Sequence, residues 1–453
     1  MLQATNPNNG QSLEAFEALS LEQANGLIDQ VAGGFAAWRG QSIEQRSEIL
    51  KSVATKLREN KQPLAEWMAL EMGKPMKEGL AEVEKSAWCA EYYAEHGAEF
   101  LAPETLASDA SHSYVQYPPL GTVLGILPWN APVWLALRFL APALMAGNTC
   151  ALKADPNVPA TAEKLVACFH EAGVPKDALV NLAVENQVAK QLIDHPKVKA
   201  VSFTGSSQAG QVIAAQAAGG LKPAVLELGG SDPCIVMADA ELDKALDVIT
   251  LSRMINAGQS CIAVKRLFVE ASIYDTVCEA LRQRFEQVSF GDPMDETKQL
   301  GPLARADLRD QLHRQVSDTI KSGAKCLIGG DLPKTDGFHY PATLLVDVEP
   351  GMAVFEEETF GPVLSVTPVS SLDEALTLAN ATEYGLGASI WTTSQTAIDQ
   401  AVNNLASGQI AVNGIVKSDP RLPSGGIGKS GYGRELGPQG IREFVNVQQV
   451  WIG

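Results

Sequence analysis

One of the seven cysteines stands apart. Cys261 ends the run Asn256-Ala257-Gly258-Gln259-Ser260-Cys261, a turn of small residues after a helical stretch. Such a turn offers exposed backbone N–H groups, the setting a nucleophilic sulfur needs. The other six, Cys89, Cys150, Cys168, Cys234, Cys278 and Cys326, read as small hydrophobes. Glu227 lies in the apolar run LELGG (226–230). A desolvated carboxylate there suits a general base, and the competing reading is a structural ion pair. Asn130 closes GTVLGILPWN (121–130) at the end of a strand, where open α/β sheets place ligands. Its side-chain N–H suits an oxyanion, or else it is a turn asparagine after a proline.

Two further features concern ligands. In VKAVSFTGSSQAG (198–210) a buried strand leads through a glycine turn into a helix, so the N–H groups of Gly205, Ser206 and Ser207 are placed to bind a pyrophosphate. The one G-x-G-x-x-G, Gly426 to Gly431, follows Pro423-Ser424 and opens no apolar helix, so it is not a dinucleotide fingerprint. Arg138 sits in the apolar run 134–140, and Arg253 lies on the helix leading to Cys261. A charge amid apolar residues needs a partner. That partner is either an internal acid or an anionic tail on the substrate, gripped by a bidentate fork.

The elements that position these groups change along the chain. The first hundred residues read as helices, with apolar residues at helical spacing over 42–60 and 78–100. Alternation then sets in, with strands over 122–127, 149–153, 179–183, 198–203 and 224–228 and helices over 134–145 and 160–172. A second series from Gly229 includes strands at 267–269, 326–328 and 410–413. Alternating β and α elements imply α/β architecture with a mainly parallel, doubly wound sheet. At 453 residues the chain has room for about three domains at roughly 150 residues each.

A formal net charge of −18 disfavours nucleic acid and anionic membrane surfaces. The apolar stretch 121–147 contains Pro128, Pro132, Pro142, Asn130 and Arg138, too many defects for a membrane span. MLQATNPNNG has neither the basic flank nor the apolar core of a signal peptide. Scattered cysteines without C-x-x-C fit reduced thiols in a cytoplasm, and no metal site is expected.

Together, PWN, FTGS, LELGG, NAGQSC, EETFGPV (357–363) and GRELG (433–437) resemble the aldehyde dehydrogenase superfamily, in its motif order and from about residue 5 to the end. The resemblance implies a nucleotide-binding domain (1–108 and 121–228), an α/β catalytic domain (229–434) and a β oligomerisation arm (109–120 and 435–453). It implies Cys261 as nucleophile and Glu227 as the base for the deacylating water. Asn130 and the Cys261 N–H become the oxyanion donors, and Glu435 a proton-relay member. For NAD, or NADP, it implies Trp129, Lys153, Gly205, Ser206, Glu358 and Phe360. The aldehyde would become a Cys261 thioester, reducing the cofactor, and water would release the acid.

Some positions depart from the family. Pro156 replaces the glutamate that excludes a 2′-phosphate, although Asp155 keeps some negative charge nearby, so NAD is expected with NADP in play. LELGGSDP replaces LELGGKSP, and Pro423-Ser424-Gly425-Gly426 lacks a phenylalanine. An arginine at position 138 with LELGGSDP resembles succinate-semialdehyde dehydrogenases. The expected substrate is therefore a short anionic aldehyde, such as succinate semialdehyde or sulfoacetaldehyde, bound by Arg138 and Arg253. The alternating C-terminal strand FVNVQQVWI predicts pairing into a homodimer or homotetramer. Alternatives are a CoA-acylating enzyme, a cysteine hydrolase without nucleotide and a non-catalytic scaffold.

Overall fold

A computed structural model describes residues 1–453. The strand Thr122–Leu127 is buried at every position and lies inside a six-stranded sheet. Its order is Gly431–Tyr432, Ala224–Glu227, Val198–Thr204, Thr122–Leu127, Thr149–Ala154, Leu179–Asn181. Neighbours run parallel except at Gly431–Tyr432, which pairs antiparallel with Leu226 and Glu227. The Gly426–Gly431 motif thus lies in short strands, and no helix follows it directly.

Two helices on this sheet start with proline and have no side-chain cap of their own. Their first N–H groups are buried and need acceptors. Glu82, from the helix Met76–Phe100, accepts from Val133 (2.9 Å) and Trp134 (3.1 Å) at the start of Pro132–Met145. Glu71 likewise accepts from Ala160 (2.8 Å) and Thr161 (3.0 Å) at the start of Pro159–Glu171. Pro132–Met145 is buried all round, as its apolar sequence requires. No helix is long and apolar enough to cross a membrane.

The second sheet has seven strands, in the order Lys325–Ile328, Thr343–Val346, Val363–Val369, Arg266–Glu270, Pro233–Val236, Gly387–Trp391, Gln409–Val412. It is parallel apart from Lys325–Ile328. A third sheet joins Gln448–Ile452, His112–Gln116 and Glu104–Thr105, so it includes a strand upstream of the expected boundary at residue 109. The helix Gly437–Arg442, on the arm side of the expected boundary, packs instead on Met76–Phe100 and Pro132–Met145.

The N-terminus corrects the all-helical expectation. Leu2–Thr5 and Ser12–Phe16 form an antiparallel hairpin before the helices Leu21–Gly40, Ile43–Glu59, Lys61–Met72 and Met76–Phe100. Its strands are too short to show a period, and Asn6-Pro7-Asn8-Asn9-Gly10 supplies the turn.

Candidate active site

The turn before Cys261 is strained and tightly held. Asn256 and Ala257 have φ of 56° and 52°, which for non-glycine residues costs about 1–3 kcal/mol each. At Gly258 a Cβ would lie 2.2 Å from the Gly361 carbonyl oxygen, so only glycine fits. Glu78 Oε2 accepts the Asn256 N–H at 2.7 Å, and Asn256 Nδ2 donates to the carbonyls of Asn130 (2.8 Å) and Gln259 (3.1 Å). Gln259 Oε1 accepts the Ala304 N–H at 2.8 Å. The result is a partly exposed Cys261 whose backbone N–H donates to no protein acceptor.

Arg253 belongs to this scaffold, contrary to the expectation that it meets substrate. It is fully buried; Nη1 donates to Val264 O at 3.0 Å and Nη2 to Gly258 O. Two of its five donors are taken by a carbonyl of the turn and one just beyond Cys261. Arg253 shapes the cysteine loop and does not line the cavity beside it.

That cavity, about 820 Å³, brings together Cys261, Glu227, Asn130, Trp129, Lys153, Gly205, Ser206, Glu358 and Phe360. Its volume suits a ligand much larger than a short aldehyde. Asn130 Nδ2 donates to Gln259 O at 3.1 Å, and Lys74 Nζ donates to the Asn130 carbonyl at 2.9 Å. Burial pushes the Cys261 thiol up to about 12; Lys265 and Arg138 oppose the shift, and Glu227 and Glu358 add to it. Lys265 is a residue that sequence reasoning missed. Its buried Nζ donates to the carbonyls of Cys261 (2.6 Å) and Ser260 (3.1 Å) and lies 3.5 Å from Glu358 Oε1. The signal was the cation pair Lys265-Arg266 at the start of a buried strand.

Glu227 is 3% exposed, and its Oε2 accepts from Arg138 Nη2 at 2.8 Å. Arg138 Nε lies 2.5 Å from Glu435 Oε2. The structural ion pair weighed for Glu227 and for Arg138 is therefore one and the same. Arg138 is 3% exposed and does not line the cavity, which corrects the picture of a guanidinium lying open to substrate. Nη2 makes its one hydrogen bond, Nε meets Glu435 as an ion pair, and Nη1 donates to no protein acceptor. Glu435 sits behind it, outside the cavity lining, and burial holds its carboxyl above the usual carboxylate range.

The cavity wall also carries free donors. Gly205 N–H is used by Glu227 O at 3.0 Å, contrary to expectation, whereas Ser206, Ser207 and Gln208 offer N–H groups without acceptors at the start of Ser207–Gly219. Lys153 Nζ bonds Asn186 Oδ1 at the cavity wall. Glu358 Oε1 accepts from Gly230 N at 3.1 Å, and a Cβ on Gly229 would lie 2.3 Å from Glu358 Oε2, which explains the paired glycines of LELGG. Trp129 and Phe360 meet edge to face, centroids 5.9 Å apart. Free helix N-terminal donors, a lysine, a carboxylate and an aromatic wall fit an anionic dinucleotide.

The model of the aldehyde dehydrogenase family matches residues 1–450. The chain belongs to the aldehyde dehydrogenase family. It is an NAD(P)-dependent oxidoreductase acting on aldehydes. A Synechocystis protein named as a probable NADP(+) succinate-semialdehyde dehydrogenase is 43% identical, over 99% of this chain and 98% of its own. The Escherichia coli NAD(P)+ succinate semialdehyde dehydrogenase is 41% identical, over 98% and 96%. The crystal structure of succinic semialdehyde dehydrogenase from Streptococcus pyogenes, in complex with NADP+, superposes with a TM-score of 0.97 at 32% identity, covering both chains fully.

Proposed function

We propose that this enzyme oxidises a short aldehyde with an anionic tail, succinate semialdehyde first and sulfoacetaldehyde as competitor, to the acid through a Cys261 thioester. The observation that carries the reading is the meeting of Cys261, Glu227 and Asn130 on the wall of one cavity that also holds the cofactor-binding groups. The Cys261 thiol gives its proton to water, and its sulfur bonds to the aldehyde carbon as the carbonyl π electrons move onto oxygen. Asn130 Nδ2 and the Cys261 N–H receive the oxyanion. NAD(P)+, when bound, supplies the acceptor for the hydride that leaves that carbon. Glu227, released from Arg138, takes a proton from the water that attacks the thioester; the C–S bond breaks and the carboxylic acid leaves.

Two competing readings lose ground. None of the six histidines lines the cavity, so no Cys–His hydrolase pair forms there. Glu227 on the wall beside Cys261 favours water over CoA as acyl acceptor. Arg138 Nη1 and the names of several similar relatives support an anionic tail. The test compares kcat/KM for succinate semialdehyde, sulfoacetaldehyde and uncharged butyraldehyde in wild type and Arg138→Leu. An anionic aldehyde should lead by at least about tenfold, since a hydrogen bond to a charged group is worth about 1.5–3 kcal/mol, and Arg138→Leu should shrink the lead. Butyraldehyde as best substrate would refute the reading.

For the cofactor, the cavity wall near Lys153 also carries Lys190, while Asp155 Oδ1 is engaged by the Asn157 N–H at 2.9 Å. With Pro156 in place of a glutamate, a 2′-phosphate meets little repulsion. NADP should bind at least as tightly as NAD in a fluorescence titration, and tenfold weaker NADP binding would show that Asp155 decides the site. The strand Gln448–Ile452 lies at the edge of its sheet with Trp451 and Ile452 exposed. We assign it to pairing between copies of the chain, in a homodimer or homotetramer.

A further inference from the structure

The ion pairs around Arg138 leave the tail of an anionic substrate short of positive charge. Glu227 and Glu435 both face that guanidinium. A second cation stands within electrostatic reach of Arg138, on a neighbouring helix. Lys85, on the helix Met76–Phe100, places Nζ 4.1 Å from the centroid of the Trp134 ring, and Trp134 is one turn before Arg138 on Pro132–Met145.

We infer that Lys85 is a specificity residue that receives the anionic tail of the aldehyde; this rests on the proposed anionic substrate. Lys85 has no hydrogen-bonded partner, and its neighbours Arg138, Glu82, Cys89 and Asp419 act on it only through space. Neither nearby carboxylate is available. Glu82 is held by Lys74 and by the N–H groups of Val133 and Trp134. Asp419 is engaged by Arg421 through Nε at 2.9 Å and Nη2 at 2.7 Å. Arg421 in turn lies over Trp88, one turn along from Lys85. The face thus presents two tryptophans and an ammonium with no counter-charge of its own.

An ammonium that is only partly exposed and lacks a counter-ion is held at a cost, and burial lowers Lys85 to about 8. Cation–π attraction to Trp134 offsets part of that cost. A carboxylate or sulfonate supplies the missing charge and can still accept from Arg138 Nη1. Arg138 lies within electrostatic reach of Cys261 and bonds Glu227 on the cavity wall. The row Lys85–Trp134–Arg138 therefore runs towards the reacting sulfur, and a tail held at its outer end aims the aldehyde inward.

The test uses the full-length enzyme with Lys85→Met, which keeps the alkyl stem on Trp134, and Lys85→Arg, which keeps the charge. The readouts are the kcat/KM ratio of succinate semialdehyde to butyraldehyde and the inhibition constant of succinate. In Lys85→Met the ratio should fall about 10- to 100-fold, mainly through KM, and succinate should inhibit correspondingly less. Lys85→Arg should restore most of both. If wild type shows no preference for the anionic aldehyde, the substrate reading itself fails and this inference with it. If wild type shows the preference and Lys85→Met keeps it, or loses both substrates equally, Lys85 merely packs on Trp134 and the inference is overturned with the substrate reading intact.

Discussion

Cys261→Ala is expected to lower turnover by at least about four orders of magnitude while leaving the fold intact. Removal of a covalent nucleophile forfeits the whole acyl-enzyme route, and losses of this order are typical for such groups. Cys261 is the one cysteine on the cavity wall. Cys89, Cys150, Cys168, Cys234 and Cys278 are buried, and Cys326 lies on the outer strand Lys325–Ile328. No other thiol is placed to substitute. Loss of one sulfur from a partly exposed site should change stability by no more than about 1 kcal/mol. The comparison is reduced-cofactor formation by variant and wild type, with thermal melting as control. Because burial pushes the thiol up to about 12, the resting sulfur is protonated at neutral pH and the thiolate fraction grows as pH rises. Single-turnover acylation should accelerate with pH through the neutral range. Turnover retained in Cys261→Ala would remove the thioester from the account.

Glu227→Gln should separate the two halves of the reaction. The amide keeps the shape of the carboxylate and a bond to the region of Arg138, but it cannot take a proton from water. Hydride leaves the substrate before water is needed, so the variant should still give a burst of reduced cofactor equal to its active sites. Steady-state turnover should fall about 10²- to 10⁴-fold, the usual worth of a general base. Rapid-mixing absorbance measures both. Loss of burst and steady state together, with thiol activation shown to be unaffected, would assign Glu227 a different role. Glu435 remains beside Arg138 in this variant, so the guanidinium is not left without a counter-charge.

The sequence conveyed the site more fully than the frame around it. Cys261, Glu227 and Asn130 sit in short motifs whose local shape is fixed by glycines and turns, and their joint presence points to one chemistry. The first parallel sheet was legible because its apolar strands alternate with helical stretches. Pro233–Val236, Thr343–Val346, Val363–Val369 and Gly387–Trp391 were not, being short, nearly all buried runs without the two-residue alternation that marks a half-exposed strand. Charged groups in the interior show the sharpest limit. That Arg138 and Arg253 needed partners was evident from their apolar surroundings. Which partners they took was not, because Glu227 and Glu435 reach Arg138 only through the folded sheet, whereas Arg253 bonds carbonyls that carry no side-chain signal. Lys74, in the link before the helix Met76–Phe100, and Glu78 and Glu82 on that helix brace the Asn130 and Cys261 loops, and the helix reads from sequence as ordinary amphipathic surface.

The central claim is a covalent acyl group on Cys261 that Glu227 helps to remove. Its most direct measurement mixes Glu227→Gln enzyme with NADP+ and succinate semialdehyde, quenches with acid during the burst and weighs the intact protein and its peptides. One acyl group per active site, carried by the peptide containing Cys261 and released by hydroxylamine, is the predicted result. A stoichiometric burst with no adduct, or an adduct on any other cysteine, would contradict it.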